Sequence, residues 1–399
     1  MPELDGRRFW FVGIGGAGLS GYAILAKAWG AEVAGWERVA TQYLQYVEAA
    51  GIPVTISADP QAGGEGWETV VSTAYADRVD GRSRSDFLAE LVAQARSIVV
   101  SGAHGKTTTA AMIAFVLDRL GLDPSFLIGG DVPQLGGNAR AGSGWLVVEG
   151  DESDRTVFGL PAEIAVITNV DLDHHTTFGS VTELEEEFDR WAAGIPRVVW
   201  GRAVDPAGID LSIPGEHNRL NAACALAALE HAGVDRGQAI QALKDFRGTG
   251  RRLEDRGETR GGLHLFDDYG HHPAEIEATL AAVRELAGDG RVIVLFQPHL
   301  YSRTLHLAPE FARALAAAHA VGVTEVYPAR EEPIEGVTGK LVVDRLCELR
   351  PGMPVAWTPT VEQGADFLAA TARAGDLVLT VGAGDVDRAL MLVSAKVAS

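Results

Sequence analysis

The sequence predicts an α/β protein built from strand–loop–helix units around parallel sheets. Three observations carry that prediction. Near the N terminus an apolar run of strand length, Arg8-Phe-Trp-Phe-Val12, leads through Gly13-Ile-Gly-Gly-Ala-Gly18 into helical spacing over Leu19 to Trp29. A second unit starts at Ser97-Ile-Val-Val-Ser101, crosses Gly102-Ala-His-Gly105 and enters an apolar helical run, Ala110 to Leu120. The last third alternates again: strand Leu263–Phe266, a helix after Pro273, strand Arg291–Phe296, a helix over Ala308 to Ala320, and strand Asp376–Val381. At 399 residues the chain has room for two or three domains.

In the first unit, Ala31-Glu-Val-Ala-Gly35 begins a second strand that ends at Trp36-Glu37. A G-x-G-x-x-G loop followed by an acidic residue after the next strand fits a dinucleotide site by spacing. Gly13, Gly15, Gly16, Ala17 and Gly18 would bring a pyrophosphate close to a helix N terminus, with Glu37 beyond it. A nucleotide sugar carries the same pyrophosphate as NAD, so an NAD(P) oxidoreductase and a UDP-type ligand both stay open. A tight turn serving helix–strand contact is the plain alternative. Phe9 to Ala26 is uncharged, but its five glycines suit strand, loop and helix rather than a membrane span.

The second loop, Ser101 to Thr109, reads as a phosphate cradle. Glycines turn backbone N–H groups toward an anion, Lys106 reaches the outer phosphates, and a hydroxyl such as Thr107 holds Mg²⁺. The ligand it suits is ATP. Gly102 and Gly105 enclose only two residues, where the common phosphate loop has four. The competing reading is a glycine turn that caps a helix. A dehydrogenase has no use for a second phosphate loop, so two loops suggest two phosphorylated ligands.

Gly144-Trp-Leu-Val-Val-Glu149 reads as a buried strand running into Gly150-Asp-Glu-Ser-Asp154, and Ala162 to Thr168 as another, ending in Asn169-Val-Asp-Leu-Asp-His-His175. In open α/β sheets ligands sit at the carboxyl ends of strands, where both clusters and the Gly-Lys-Thr loop lie. A carboxylate, a hydroxyl and an imidazole there would make a Mg²⁺ site. Zinc is less suited, because no third or fourth ligand is spaced for it.

Charge and cysteines narrow the class. With 34 basic and 54 acidic side chains the formal charge is −20, which repels polyanions and argues against nucleic acid. A nucleotide site must then be a local basic island. Cys224 and Cys347 fall in helical patterns with no metal-like spacing, and read as core thiols of a cytoplasmic protein without a signal peptide.

At this point the chain resembles the Mur ligases, ATP-dependent amide-bond formers of peptidoglycan synthesis. The matching pieces are Phe11-Val-Gly-Ile-Gly-Gly-Ala-Gly18, Gly102 to Thr109, Asp151-Glu-Ser-Asp154, Thr168-Asn-Val, Asp173-His174 and Pro214-Gly-Glu-His-Asn-Arg-Leu-Asn-Ala-Ala223. They continue with Phe246-Arg-Gly-Thr-Gly-Arg-Arg252, Asp267-Asp-Tyr-Gly-His-His-Pro273, Gln297-Pro-His and Tyr301-Ser-Arg-Thr304. The pieces keep the family's order over most of the chain.

The resemblance implies three domains: a Rossmann-like UDP-substrate domain over 1–95, a P-loop-like central ATPase domain over 96–249, and a Rossmann-like closing domain over 250–399. It implies that L-alanine, or another amino acid or peptide, is joined to the carboxylate of UDP-N-acetylmuramate through an acyl phosphate. By similarity Gly102, Ala103, His104, Gly105, Lys106, Thr107 and Thr108 hold the ATP phosphates; Thr107, Glu152 and His174 serve Mg²⁺; Asn218 and Asn221 read adenine; Arg251 and Arg252 reach the phosphates; and Asp268 holds the ribose. Tyr269, His271 and Arg303 would face the amino acid, and Lys106, Glu152, His174, His271 and Arg303 are the expected catalytic set. The expected partners are small-molecule substrates, without membrane insertion, for a monomer or homodimer.

Two departures bear on substrates. Leu300 stands where the family usually has arginine, and leucine cannot grip a carboxylate with two parallel bonds. Trp36-Glu37 replaces a usual serine–aspartate pair, placing a ring that either stacks on uracil or excludes it. The chain is also short for the family after Ser72-Thr-Ala74 and between Trp200 and Pro214.

Overall fold

The computed structural model describes residues 4–41, 43–171, 177–329 and 331–397. The chain divides into two compact units, one of residues 1–212 and 218–249, the other of 213–217 and 250–399. Three sheets of mostly parallel strands account for the architecture, two in the first unit and one in the second.

The first sheet comes from β1 (Arg8–Val12), α1 (Ala17–Ala28), β2 (Glu32–Glu37), α2 (Leu44–Ala49), β3 (Val54–Ile56), β4 (Glu68–Val71), β5 (Arg82–Ser83) and α3 (Arg84–Ala93). Its order is β3-β2-β1-β4-β5, all parallel. The chain winds outward from β1 to β3 and then returns to β4 on the other side. The Gly13–Gly18 loop therefore leaves β1 at the point where strand order reverses, the usual ligand crevice of such sheets. Between β4 and β5 there is only a short 3₁₀ turn, Thr73–Tyr75, in keeping with the shortening expected there.

The second sheet uses β6 (Ser97–Ser101), α4 (Lys106–Arg119), β7 (Ser125–Val132), β8 (Gly137–Arg140), β9 (Leu146–Glu149), β10 (Ile164–Ile167), α5 (Val181–Ala193), β11 (Arg197–Trp200), α6 (Glu216–His231) and α7 (Arg236–Leu243). The order is β11-β10-β6-β9-β7-β8, with only the β7–β8 hairpin antiparallel. Helix α4 is buried from Thr107 to Leu117, so it is enclosed on all sides rather than along one stripe. One apolar cluster runs from Phe9 and Phe11 through Leu127 to Val148 and Phe188, so the first two sheets share a core.

The third sheet follows β12 (Glu254–Glu258), β13 (His264–Asp268), α8 (Pro273–Ala287), β14 (Val292–Phe296), α9 (Tyr301–Leu315), β15 (Ala320–Val323), α10 (Lys340–Leu349), β16 (Val355–Trp357), α11 (Val361–Thr371), β17 (Leu377–Val381) and α12 (Arg388–Val397). The order is β12-β13-β17-β14-β15-β16, parallel except for β12. The helix expected over Ala308 to Ala320 begins seven residues earlier and ends at Leu315, and Ala320 opens a strand instead. Pro309 lies inside the helix on its exposed face, where the lost N–H costs a bond without ending the turn.

Two expectations are corrected by burial. Cys224 is a core thiol, but Cys347 is exposed, because it sits just past Leu346 beyond the apolar stripe of α10. Trp36 presents no surface to a ligand: it is 0% exposed, donates Nε1–H to Ser57 Oγ at 2.7 Å, and meets Tyr75 edge-to-face with ring centroids 5.1 Å apart. With Val12 and Val71 it fills the sheet face opposite α1.

Candidate active site

The central loop is shaped by two glycines. Gly102 and Gly105 have φ of +125° and +79°, and a Cβ on Gly105 would lie 2.2 Å from Asn221 Oδ1. Only glycine allows both that backbone and that approach. Helix α4 starts at Lys106 itself, so its unpaired first-turn N–H groups face whatever the loop holds. Asn169 fixes the loop from β10: its Oδ1 accepts His104 N–H at 2.9 Å and its Nδ2 donates to His104 C=O at 2.8 Å. The His104 ring lies 3.7 Å from Asp171.

The ammonium of Lys106 donates to Gly102 C=O at 2.7 Å, Ala103 C=O at 3.2 Å and Glu152 Oε2 at 2.9 Å. Burial opposes its charge, but the carboxylates of Glu152, Asp151 and Glu149 outweigh that and hold it in the protonated form. Burial pushes Glu152 upward, and the lysine offsets this only in part. The loop thus presents one ammonium set among three carboxylates, not the basic island expected of an acidic chain.

The two carboxylates take different partners. The sequence reading placed Glu152 beside Thr107 for a metal; Glu152 instead lies on Lys106. Glu149, the last residue of β9, takes the other position. Its Oε1 accepts from Thr107 Oγ1 at 2.9 Å and its Oε2 from Gly129 N–H at 2.7 Å. Glu149 was overlooked because it reads as the end of an apolar strand; its place at a strand's carboxyl end beside the loop was the available signal. Among the described residues no cluster of three His, Cys, Asp or Glu side chains forms a metal cage. A hydroxyl and a carboxylate side by side still suit Mg²⁺, which takes oxygen ligands and keeps several waters. His174 lies outside the described residues.

Asn218 and Asn221 are both buried on one face of α6, and Asn221 lies against the loop at Gly105. Thr108 is buried in the first turn of α4. In the first sheet, Glu37 secures the glycine loop from within: its Oε2 accepts Gly15 N–H at 2.8 Å and its Oε1 accepts Arg38 N–H at 2.8 Å. Thr41 Oγ1 donates to Gly15 C=O at 2.7 Å. Gly13 N–H and Gly16 N–H are also bonded internally, to Trp36 C=O and Gly13 C=O, and α1 begins at Ala17.

In the second unit Arg251, Arg252, Asp268, Tyr269 and His271 gather at the carboxyl end of β13. Asp268 is buried; its Oδ2 accepts Leu253 N–H at 2.7 Å and its Oδ1 accepts Gly270 N–H at 2.8 Å. Burial raises its carboxyl to about 6, against the pull of Arg252 and the two N–H donors. Arg251 and Arg252 lie over the Tyr269 ring at 5.3 and 5.1 Å. Arg251, however, is directed inward: it bonds Asp267, Gly382 C=O and Gly384 C=O at 2.7–2.8 Å. Tyr269 meets the His271 ring at 5.5 Å, and His271 meets His299 at 5.7 Å, a histidine outside the expected set. Glu275 accepts from the N–H groups of His271 and His272, so that pair also forms the turn into α8. Arg303 sits half-buried in the first turn of α9, three residues after Leu300, whose φ is +70°.

Residues 8–96 match the Mur ligase family catalytic domain, 100–199 the Mur ligase middle domain, and 251–384 the Mur ligase glutamate ligase domain. The UDP-N-acetylmuramate–L-alanine ligase of Renibacterium salmoninarum is 38% identical over 96% of this chain and 94% of its own. The chain belongs to the Mur ligase family. The enzyme of the same name from Kineococcus radiotolerans is 39% identical over 95% of this chain and 94% of its own. Among solved structures, the UDP-N-acetylmuramate–alanine ligase MurC of Thermotoga maritima superposes with a TM-score of 0.80 at 26% identity, covering 98% of each chain. The murein peptide ligase of Psychrobacter arcticus shares the Mur ligase fold, with a TM-score of 0.65 at 21% identity over 98% of this chain and 99% of its own. The alignment with the Renibacterium relative spans 444 positions, more than the 399 residues present, so this Mur ligase carries internal deletions relative to that enzyme. As a member of a ligase family it is a ligase, and the oxidoreductase alternative falls. Among the described residues no helix is long and apolar enough to cross a membrane.

Proposed function

We propose that this Mur ligase joins L-alanine to the carboxylate of UDP-N-acetylmuramate with ATP, in the cytoplasm, as a step of peptidoglycan precursor synthesis. The observation that supports it most is Lys106, a half-buried cation seated on a glycine loop at a helix N terminus, in a chain nearly collinear with ligases of that name. A carboxylate is a poor acyl donor. In the proposed reaction a carboxylate oxygen attacks the γ-phosphorus and ADP leaves. The amine then attacks the acyl carbon, phosphate departs with that oxygen, and the amine proton is lost. Splitting one hard step into two easier ones is the gain of a covalent intermediate.

Residues 1–95 are assigned to the UDP substrate, 96–249 to ATP, and 250–399 to the amino acid and closure. Lys106 and the α4 N terminus stabilise charge on the transferring phosphoryl. Thr107 and Glu149 would hold Mg²⁺, which would neutralise phosphate charge. Glu152 keeps Lys106 protonated and aimed. Arg252, rather than the inward-directed Arg251, is assigned to the phosphates, and Asp268 to the ribose. Tyr269, His271 and Arg303 are assigned to the acceptor.

A second reading, the same chemistry with another acceptor, is favoured by Leu300. It lacks a guanidinium and holds a positive φ at the head of α9. A ligation assay with UDP-N-acetylmuramate, ATP, Mg²⁺ and each amino acid in turn separates the two. Product with L-alanine alone supports the first reading. Preference for another amino acid supports the second, and no product with any amino acid contradicts both.

A further inference from the structure

We propose that Asn138 is a positioning residue that holds the two glycine loops of the first unit in register through the β7–β8 hairpin; the proposal rests on the ligase reading above. Helix α1, which carries the first loop, lies directly on this hairpin. A Cβ on Gly21 would meet Ala139 Cβ at 2.9 Å and Leu127 Cδ2 at 3.0 Å, so any side chain there would lift the helix. Asn138, only 2% exposed, donates from Nδ2 to Ala17 C=O at 3.0 Å and to Ile128 C=O at 3.4 Å. Ala17 is the first helical residue after the first loop.

From Ile128 the connection runs on. The next residue, Gly129, donates its N–H to Glu149 Oε2 at 2.7 Å, and Glu149 Oε1 accepts from Thr107 Oγ1 of the second loop at 2.9 Å. Ala17, Asn138, Ile128, Gly129, Glu149 and Thr107 thus form an unbroken series of hydrogen bonds and chain bonds between the loops. Tyr46 adds a second fastener, its O–H donating to Asp131 Oδ1 at 3.1 Å. Asn138 itself touches neither the Lys106 ammonium nor the Thr107 hydroxyl. Its action is on the span between a carboxylate held by one loop and a phosphate held by the other. A misplacement of about 1 Å at such a span costs on the order of 10²-fold in rate.

The test uses the full chain with Asn138→Ala, and with Tyr46→Phe as the milder change. Spin labels are placed at exposed positions through Ala28→Cys and Leu122→Cys in a Cys347→Ser background, Cys224 being buried. The parent gives one narrow label distance; both variants broaden it. In Asn138→Ala, kcat falls at least about tenfold while the KM for ATP stays within about twofold, a split that a purely structural role would not produce. An unchanged distance distribution, an unchanged kcat, or a parallel loss of ATP affinity overturns the proposal. If Asn138→Ala does not fold, Tyr46→Phe decides by the same readouts with a smaller shift. A parent that binds both nucleotides but ligates nothing sinks the ligase reading alone, and the label distances still decide the register.

Discussion

The Lys106 ammonium lies 2.9 Å from Glu152 Oε2, with the glutamate side chain only 3% exposed. A buried pair of this kind is costly to break from one side, because the remaining charge has no partner. Lys106→Ala should therefore cost about 3–5 kcal/mol of stability as well as roughly 10²–10³ in kcat. Adding Glu152→Gln should return much of the stability and none of the activity. Denaturant titration and steady-state kinetics on the two single variants and the double variant check both halves.

Glu149 should control metal dependence. Glu149→Gln leaves a neutral oxygen beside Thr107 and should raise the Mg²⁺ concentration for half-maximal activity by roughly 10–100-fold. Glu152→Gln should lower kcat without a comparable shift in Mg²⁺ requirement. Activity measured across a Mg²⁺ titration distinguishes the two carboxylates.

Asp268 should give the fold a pH signature. Its folded value of about 6 exceeds the ordinary 3.8, so between those values the folded state binds more protons than the unfolded state. Stability from this group is thus present at low pH and lost as pH rises toward 6, a change of about 3 kcal/mol. Asp268→Asn should remove that slope whatever its absolute stability. Unfolding free energies at pH 4 to 7, compared between the two proteins, measure it.

Trp36 should behave as core. Trp36→Ala should cost about 3–5 kcal/mol. Trp36→Phe should leave the KM for the UDP substrate within about twofold of the parent. A tenfold rise in that KM for the phenylalanine variant would show that the ring touches the nucleotide.

Much of the site was legible from sequence because its backbone demands special residues. Gly102, Gly105 and Lys106 announce a loop that only a few residue types can build, and Asp268 and Tyr269 sit in a recognisable run after a strand. The α/β class followed from apolar runs that change period at glycine. Other parts carried no local signal. Glu149 ends an apolar strand and owes its role to Thr107, forty-two positions away in sequence. Asn138 lies in a short glycine-flanked hairpin whose importance depends on α1 lying against it. The direction of Arg251, inward to Asp267, depends on a positive φ that tertiary contacts impose. Trp36 looked like a ligand contact because position alone cannot say which sheet face a side chain fills.

In the proposed reaction a carboxylate is phosphorylated before the amide forms. UDP-N-acetylmuramate labelled with ¹⁸O in its carboxylate tests it most directly, by mass analysis of the inorganic phosphate released during ligation. One labelled oxygen should appear in each phosphate. Unlabelled phosphate accompanying full ligation would contradict it.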